Sequence, residues 1–159
     1  MNKLSSAGFS YVEIIFTVAI MALLATAVVP YVELTVTRKK EAELNRSLRE
    51  IRTAIDNFKQ AVDDGIIMMP ADASGYPPNL EILVEGAPNA QDPRKRLVYF
   101  LRRLPRDPMN LRPDLAPADT WGKRSYDSPP DAPKEGKDVF DVYSLSTQVG
   151  LNGVPYNEW

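Results

Sequence analysis

The sequence predicts an α+β protein in which one long N-terminal helix packs against a small antiparallel β-sheet with proline-rich loops. Three observations favour this class. An apolar run extends from Phe9 to Val29, and a helical apolar seam continues from there to Val62. Thirteen of the 14 prolines lie between Pro70 and Pro155, which indicates loops and short elements in that part of the chain.

The first predicted element is a helix over residues 9–30. The 21 residues from Phe9 to Val29 would cover about 31 Å as a helix, which matches a hydrocarbon core of roughly 30 Å. The run therefore predicts a membrane crossing, with a bend or local melting near Pro30. Glu13 is its only charge, and a lone carboxylate at that depth costs roughly 2.5 to 3.5 kcal/mol, so it needs a partner.

Residues 1–8 form a short polar leader whose only cation is Lys3. If a peptidase cut after Gly8, the new chain would begin with the amine of Phe9, about one helical turn before Glu13. Within one chain that amine is poorly placed to neutralise the carboxylate. The amine of a neighbouring copy in a fibre could meet it, so Gly8, Phe9 and Glu13 are the candidate processing and assembly residues.

The second predicted element is an amphipathic helix over residues 31–64. Apolar residues recur there at alternating steps of four and three, which gives a narrow stripe with charged flanks. We interpret this stripe as the surface on which a globular domain packs, and a coiled coil with another chain is the alternative. The turn residues Asp63, Asp64 and Gly65 end the helix. The stripe consists of Leu44, Leu48, Ile51, Ile55, Phe58 and Val62.

Residues 65–159 are predicted to form the globular α+β region. Asn79 can cap a short helical turn that stops at Gly86, and Asp92-Pro93 is typical of an N-cap and first helical position for a segment ending before Pro105. The segments 124–127 and 139–145 are rich in β-branched and aromatic residues, which predicts an antiparallel pair of strands.

The N-terminal residues resemble a known family. Lys3, Gly8, Phe9, Ser10 and Glu13, followed by the apolar run, resemble the leader and N-terminal helix of type IV pilins and type II secretion pseudopilins. The resemblance implies a pilin-like fold, cleavage between Gly8 and Phe9 by a prepilin peptidase, N-methylation of Phe9, and packing of the apolar helices into a filament core.

Short segments of the C-terminal region resemble, in the same order, those of the major pseudopilin of type II secretion. Many type IV pilins close a C-terminal loop with a disulfide, and the absence of cysteine here favours the pseudopilins. These segments are Tyr76-Pro77, Leu104-Pro105-Arg106-Asp107-Pro108, Thr120-Trp121-Gly122, Tyr126 and Val139-Phe140-Asp141-Val142-Tyr143-Ser144-Leu145.

The resemblance implies a structural subunit of a type II secretion pseudopilus, a homo-oligomeric helical filament that drives protein export across the outer membrane. Its partners would be minor pseudopilins, the prepilin peptidase and an inner-membrane assembly platform. The subunit would be held in the bacterial inner membrane by a single pass, with its C-terminal domain in the periplasm. The alternatives are a major or minor type IV pilus subunit and a monomeric membrane-anchored binding module.

The C-terminal loop departs from that subfamily, whose members usually bind calcium there through aspartates. A calcium ion needs six to eight oxygen ligands, but the only carboxylate side chain in residues 146–159 is Glu158. A site would have to recruit Asp138 or Asp141. We expect instead no cofactor and no metal, with Tyr156 and Trp159 holding the tail by aromatic burial.

Six basic residues and no acidic residue lie between positions 94 and 106. Three interpretations stay open: a solvated helix face, a contact with the Glu41, Glu43 and Glu50 side of a neighbouring subunit, or a nucleic-acid site. The net charge of −2 does not require nucleic acid, which makes the last one the least favoured. The cluster consists of Arg94, Lys95, Arg96, Arg102, Arg103 and Arg106.

Nothing in the sequence favours an enzyme. The chain has no histidine, no cysteine and no glycine-rich phosphate loop. Ser5, Ser6 and Ser144 lack a plausible base in the sequence pattern, and the paired aspartates at 63–64 and at 138 and 141 are explained by solvation or capping.

Overall fold

The computed structural model describes residues 10–159, without the side chains of residues 26–30. It has an α+β architecture with one long N-terminal helix, as the sequence predicts, and two small antiparallel sheets, where the sequence predicts one. The elements, in chain order, are helix α1 (Tyr11–Asp63), helix α2 (Ile82–Glu85), strands β1 (Ala87–Pro88) and β2 (Leu97–Val98), a 3-10 turn (Pro117–Thr120), strands β3 (Trp121–Arg124) and β4 (Asp141–Ser144), and a second 3-10 turn (Tyr156–Glu158).

Helix α1 joins the two predicted helical segments into one element. It continues through Pro30, so the local melting expected there is wrong. A proline removes one backbone donor, and the hydrogen bonds of the flanking turns keep the helix intact. The end of the helix is as predicted. Gly65 adopts φ +69°, and the amides of Ile66 and Ile67 both donate to the carbonyl of Ala61.

The chain divides into two compact units, residues 1–39 and residues 40–159. The described part of the first unit is helical from Tyr11 onward. The second unit contains the rest of α1 together with all other elements. The globular unit thus begins within the amphipathic half of the helix, at Lys40.

The amphipathic stripe of α1 is the core of the second unit. Leu44, Leu48, Ile51, Ile55 and Phe58 are each no more than 2% exposed, which confirms the predicted packing surface. Burial of each such side chain contributes about 1.5 to 3 kcal/mol. The residues that complete the core against this stripe include Leu83 of α2, Trp121 of β3 and Val142 of β4, and others come from the loops and the 3-10 turns.

The segment after α2 differs from the prediction. Asn79 does receive the Ile82 amide at 3.0 Å, as expected for a cap, and Gly86 follows the helix. No helix follows Asp92-Pro93 among the described residues. Lys95 has a left-handed φ of 49°, a conformation that cannot continue a right-handed helix. The segment instead forms a hairpin in which Leu97 pairs with Pro88.

The second sheet lies close to its predicted position. Strand β3 begins three residues before the predicted segment, and its register pairs Trp121 with Ser144 and Gly122 with Tyr143. The Tyr143 ring crosses Gly122 so closely that a Cβ there would lie 2.4 Å from it. Only glycine fits beneath the ring, and this fixes the face of the sheet on which Tyr143 lies.

The predicted localisation needs a correction. We expected a single-pass inner-membrane protein with the crossing over residues 9–30. Among the residues that the structure describes, no helix is both long enough and apolar enough to cross a membrane. The single-pass inner-membrane assignment is therefore contradicted.

Candidate functional site

The candidate assembly residue Glu13 lies in the first turn of α1. The positive end of the helix dipole favours a carboxylate at this position. Its side chain is exposed and forms no ion pair with any described residue. Gly8 and Phe9 lie outside the described residues, so the pairing of Glu13 with a Phe9 amine stays a prediction.

Large apolar side chains surround Glu13 and cover the whole circumference of the helix. Their exposed fractions lie between 43% and 78%. A helix that is apolar on all sides is normally buried by packing. These residues are Tyr11, Val12, Ile14, Ile15, Phe16, Val18, Ile20, Met21, Leu23 and Leu24.

The C-terminal loop is held by aromatic packing, as predicted. Tyr156 is 3% exposed, and its ring meets that of Trp159 edge-on with 5.1 Å between centroids. The Trp159 indole also donates to the Val154 carbonyl at 3.2 Å. The tail therefore has an apolar anchor of its own.

Two charged residues of α1 complete this attachment. Glu41 accepts hydrogen bonds from the Leu151 amide at 2.7 Å and from the Tyr156 hydroxyl at 3.0 Å. Arg52 donates to the Val142 carbonyl at 3.0 Å and to a Trp159 oxygen at 2.9 Å, and it pairs with Asp141 at 2.8 Å. The sequence pattern gave no signal for either role, because the partners are 89 to 115 residues away.

The two aspartates considered for calcium are engaged by protein donors. Asp141 pairs with Arg52 and Arg124. Asp138 accepts from the hydroxyls of Ser74 and Ser125 and from the Tyr126 amide. Burial alone would raise the pKa of Asp138, but these three hydrogen bonds outweigh it and lower the pKa below its usual value. Among residues 10–159, no cluster of three or more acidic side chains could hold a metal ion.

A buried polar cluster around Asp107 was not anticipated from the sequence. Asp107 is 2% exposed, and it accepts hydrogen bonds from the Ser144 hydroxyl at 2.6 Å and from the Met109 amide at 2.8 Å. Burial raises the pKa of this carboxyl despite those bonds. Ser144 is fully buried, so this pair joins β4 to the loop between β2 and the first 3-10 turn and is closed to a substrate.

The basic cluster is divided between structural and free side chains. Arg106 donates to the carbonyls of Leu115 and Arg112, and Arg96 pairs with Asp92. The other four, Arg94, Lys95, Arg102 and Arg103, are exposed and form no ion pair within residues 10–159. Because the segment is a hairpin followed by a loop, the predicted helix face does not exist.

Comparisons with family models, curated proteins and solved structures find no match for this chain.

Proposed function

We propose that this protein is a structural subunit of a helical filament, most closely a type II secretion pseudopilus that drives protein export. The observation that carries the proposal is the segment of α1 from Tyr11 to Leu24, whose apolar side chains are exposed on all sides and in which Glu13 is the only charged residue. The compact unit beyond Lys39 has its own core, and packing of the N-terminal segment with other copies would bury the apolar surface that this segment exposes.

Association of copies would remove this apolar surface from water. Apolar burial contributes about 25 cal/mol per Å², so the ten large side chains between Tyr11 and Leu24 would together provide a strong driving force. This favours a bundle of parallel N-terminal helices as the filament core, in a pilin-like arrangement.

Glu13 would set the register of that bundle. Once neighbouring helices cover it, an unpaired carboxylate is strongly destabilising, whereas an ion pair in the same environment can offset the cost. Processing after Gly8 would supply the cation, namely the amine of Phe9 on an adjacent copy. The partners implied are other copies, minor pseudopilins, a prepilin peptidase and an assembly platform.

The resemblance of the C-terminal segments and the absence of cysteine favour the secretion pseudopilus over a type IV pilus. A pilus subunit is the second candidate, since it would use the same helix. The two are separated by the phenotype of a deletion strain, which loses export of folded proteins in the first case and surface fibres in the second.

Replacement of Glu13 by valine tests the proposal. We expect filament assembly to be lost while the amount of mature protein is unchanged. The matched control is Glu33→Val, which removes another exposed carboxylate from the same helix and should leave assembly intact. Normal assembly by the Glu13 variant would contradict the proposal and would favour a monomeric binding module.

The mass of the mature chain tests the processing step separately. We expect the mass of a chain that begins at N-methylated Phe9, and a bulky replacement of Gly8 should leave the uncut precursor. A mature protein that keeps residues 1–8 while it assembles would contradict the leader assignment.

A further inference from the structure

Two of the four basic residues without an ion pair, Arg94 and Lys95, lie in the hairpin formed by β1 and β2. Strands β1 and β2 pair in register, and the Asn89 amide donates to the Arg96 carbonyl at 3.0 Å. Asp92 organises the tip by accepting from the Arg94 amide at 3.0 Å. The hairpin is also fastened to the end of α1, because the Gln91 side chain donates to the Asp64 carbonyl at 2.9 Å.

The same hairpin has an exposed apolar face. Leu97 is 45% exposed and Tyr99 is 62% exposed, and both side chains lie over Gly86, where a Cβ would be about 3 Å from each of them. Arg94 and Lys95 are exposed in the same hairpin, which therefore presents two cations and two apolar side chains to solvent. We call this surface, formed by Arg94, Lys95, Leu97 and Tyr99, the hairpin surface.

A groove next to α2 has the complementary character. It has a volume of about 310 Å³, and its apolar lining includes Val84, Leu104 and Pro117. Glu81 and Glu85 lie on its rim, four residues apart and therefore on one helix face. We call it the α2 groove; Arg103 also lines it and forms no ion pair with any described residue.

Two like charges at this spacing repel each other, and neither carboxylate has an ion-pair partner among residues 10–159. A cation from another molecule would relieve the repulsion. An apolar side chain of the same partner would remove the apolar lining of the groove from water. The groove thus calls for a partner that is both basic and apolar.

The distribution of charge indicates that this partner is a second copy of the chain. Residues 94–106 have six basic side chains and no acidic one, which leaves 13 basic and 21 acidic side chains in the rest of the sequence. The rest of each copy is therefore acidic, with a net charge of −8, and attracts the basic segment of another copy.

We propose that the hairpin surface of one copy docks on the α2 groove of a second copy, with Arg94 and Lys95 facing Glu81 and Glu85. This interface rests on the proposed filament and identifies a contact between its globular units. It is a small contact, which the N-terminal helices would strengthen by raising the local concentration of the copies.

The absence of cysteine makes a direct test possible, because each introduced thiol is the only one in its chain. Full-length Lys95→Cys protein and differently tagged Glu85→Cys protein are co-assembled and treated with a short bismaleimide. We expect a cross-linked dimer that carries both tags. Asp131→Cys, in an exposed loop, replaces Glu85→Cys in the control mixture and should give several-fold less product.

Charge reversal shows whether the contact is specific. Arg94→Glu, added to the Lys95→Cys copy, should reduce the cross-link several-fold, and Glu81→Lys in the Glu85→Cys copy should restore it. Filaments that form without this cross-link would overturn the interface and leave the filament proposal standing. A cross-link without filaments would support the interface and overturn the proposed filament.

If neither filaments nor the cross-linked dimer form, both proposals are wrong. Binding to duplex DNA tests whether nucleic acid is the partner of the hairpin surface instead. If Arg94→Glu abolishes retention on DNA and no cross-link forms, the hairpin surface serves nucleic acid and the proposed interface is wrong.

Discussion

The two halves of helix α1 have the same backbone conformation and opposite environments. Between Tyr11 and Leu24 the large apolar side chains are exposed all round, whereas between Leu44 and Phe58 they form one stripe buried by the rest of the chain. An amphipathic pattern predicts a partner within the molecule, and an all-round apolar pattern calls for partners outside it. The comparison separates the residues that form the core of the globular unit from those that the proposed assembly would bury, within a single helix.

A pair of phenylalanines provides the strongest test of this comparison. Phe58 is 1% exposed and Phe16 is 67% exposed. Phe58→Ala should lower the free energy of unfolding by about 3 to 5 kcal/mol, because it leaves a cavity in the core. Phe16→Ala should change it by less than about 0.5 kcal/mol.

Denaturant unfolding of the full-length protein in detergent measures both variants. The effect on filament yield should have the opposite order. At equal amounts of folded protein, Phe16→Ala should reduce the yield more than Phe58→Ala does. Equal destabilisation by the two changes would mean that the first half of α1 also folds against its own chain.

The attachment of the tail to α1 is the second test. Arg52→Ala removes three hydrogen bonds and should cost about 2 to 3 kcal/mol of stability, since it also leaves Asp141 with one cation fewer. Trp159 fluorescence should shift as the tail is released. Arg46→Ala is the control, because that exposed arginine pairs with no described residue.

A chelator completes this experiment. If protein groups alone hold the tail, the thermal unfolding midpoint of the parent protein should be the same with and without chelator. A shift of several degrees would show that a calcium ion contributes.

Asp138→Asn should have the smallest effect, about 1 kcal/mol at neutral pH, because the asparagine oxygen can still accept from Ser125 and Tyr126. It loses the negative charge and the second acceptor oxygen, to which Ser74 donates. The pKa of Asp138 is lowered in the folded state, so its contribution is present above the unfolded value of about 3.9 and is lost as pH falls through the folded value. The difference between parent and variant should therefore disappear in acid.

Unfolding curves from pH 7 down to pH 3 measure this dependence. Asp131→Asn, in the exposed loop after β3, should show no such trend. A difference that persists unchanged at pH 3 would indicate that shape, and not charge, accounts for the role of Asp138.

Features set by local sequence were predicted well. The stripe from Leu44 to Phe58, the Asn79 cap and the glycine stop at Gly65 each depend on residues within a few positions of one another. The Asp92-Pro93 signal is equally local, but it was overridden by the pairing of Pro88 with Leu97. Short strands depend on such nonlocal contacts, which propensity does not contain.

The candidate sites differ in the same way. The sequence alone placed Glu13 near the start of a helix and Tyr156 in an aromatic anchor. It could not reveal Glu41, Arg52 or Asp107 as structural residues, since each acts on a partner at least 37 positions away. Charged residues on a helix are usually solvated. The contacts of the folded C-terminal tail show that Glu41 and Arg52 are exceptions.

The positions of Glu41 and Arg52 have one further consequence. They lie eleven positions apart, so the tail is fixed to a stretch of about 16 Å along α1. Unwinding any turn in that stretch would detach one end of the tail, so the helix and the terminus should open together as one cooperative unit. A force applied along the axis of α1 would thus be resisted by the C-terminal residues as well as by the hydrogen bonds of the helix.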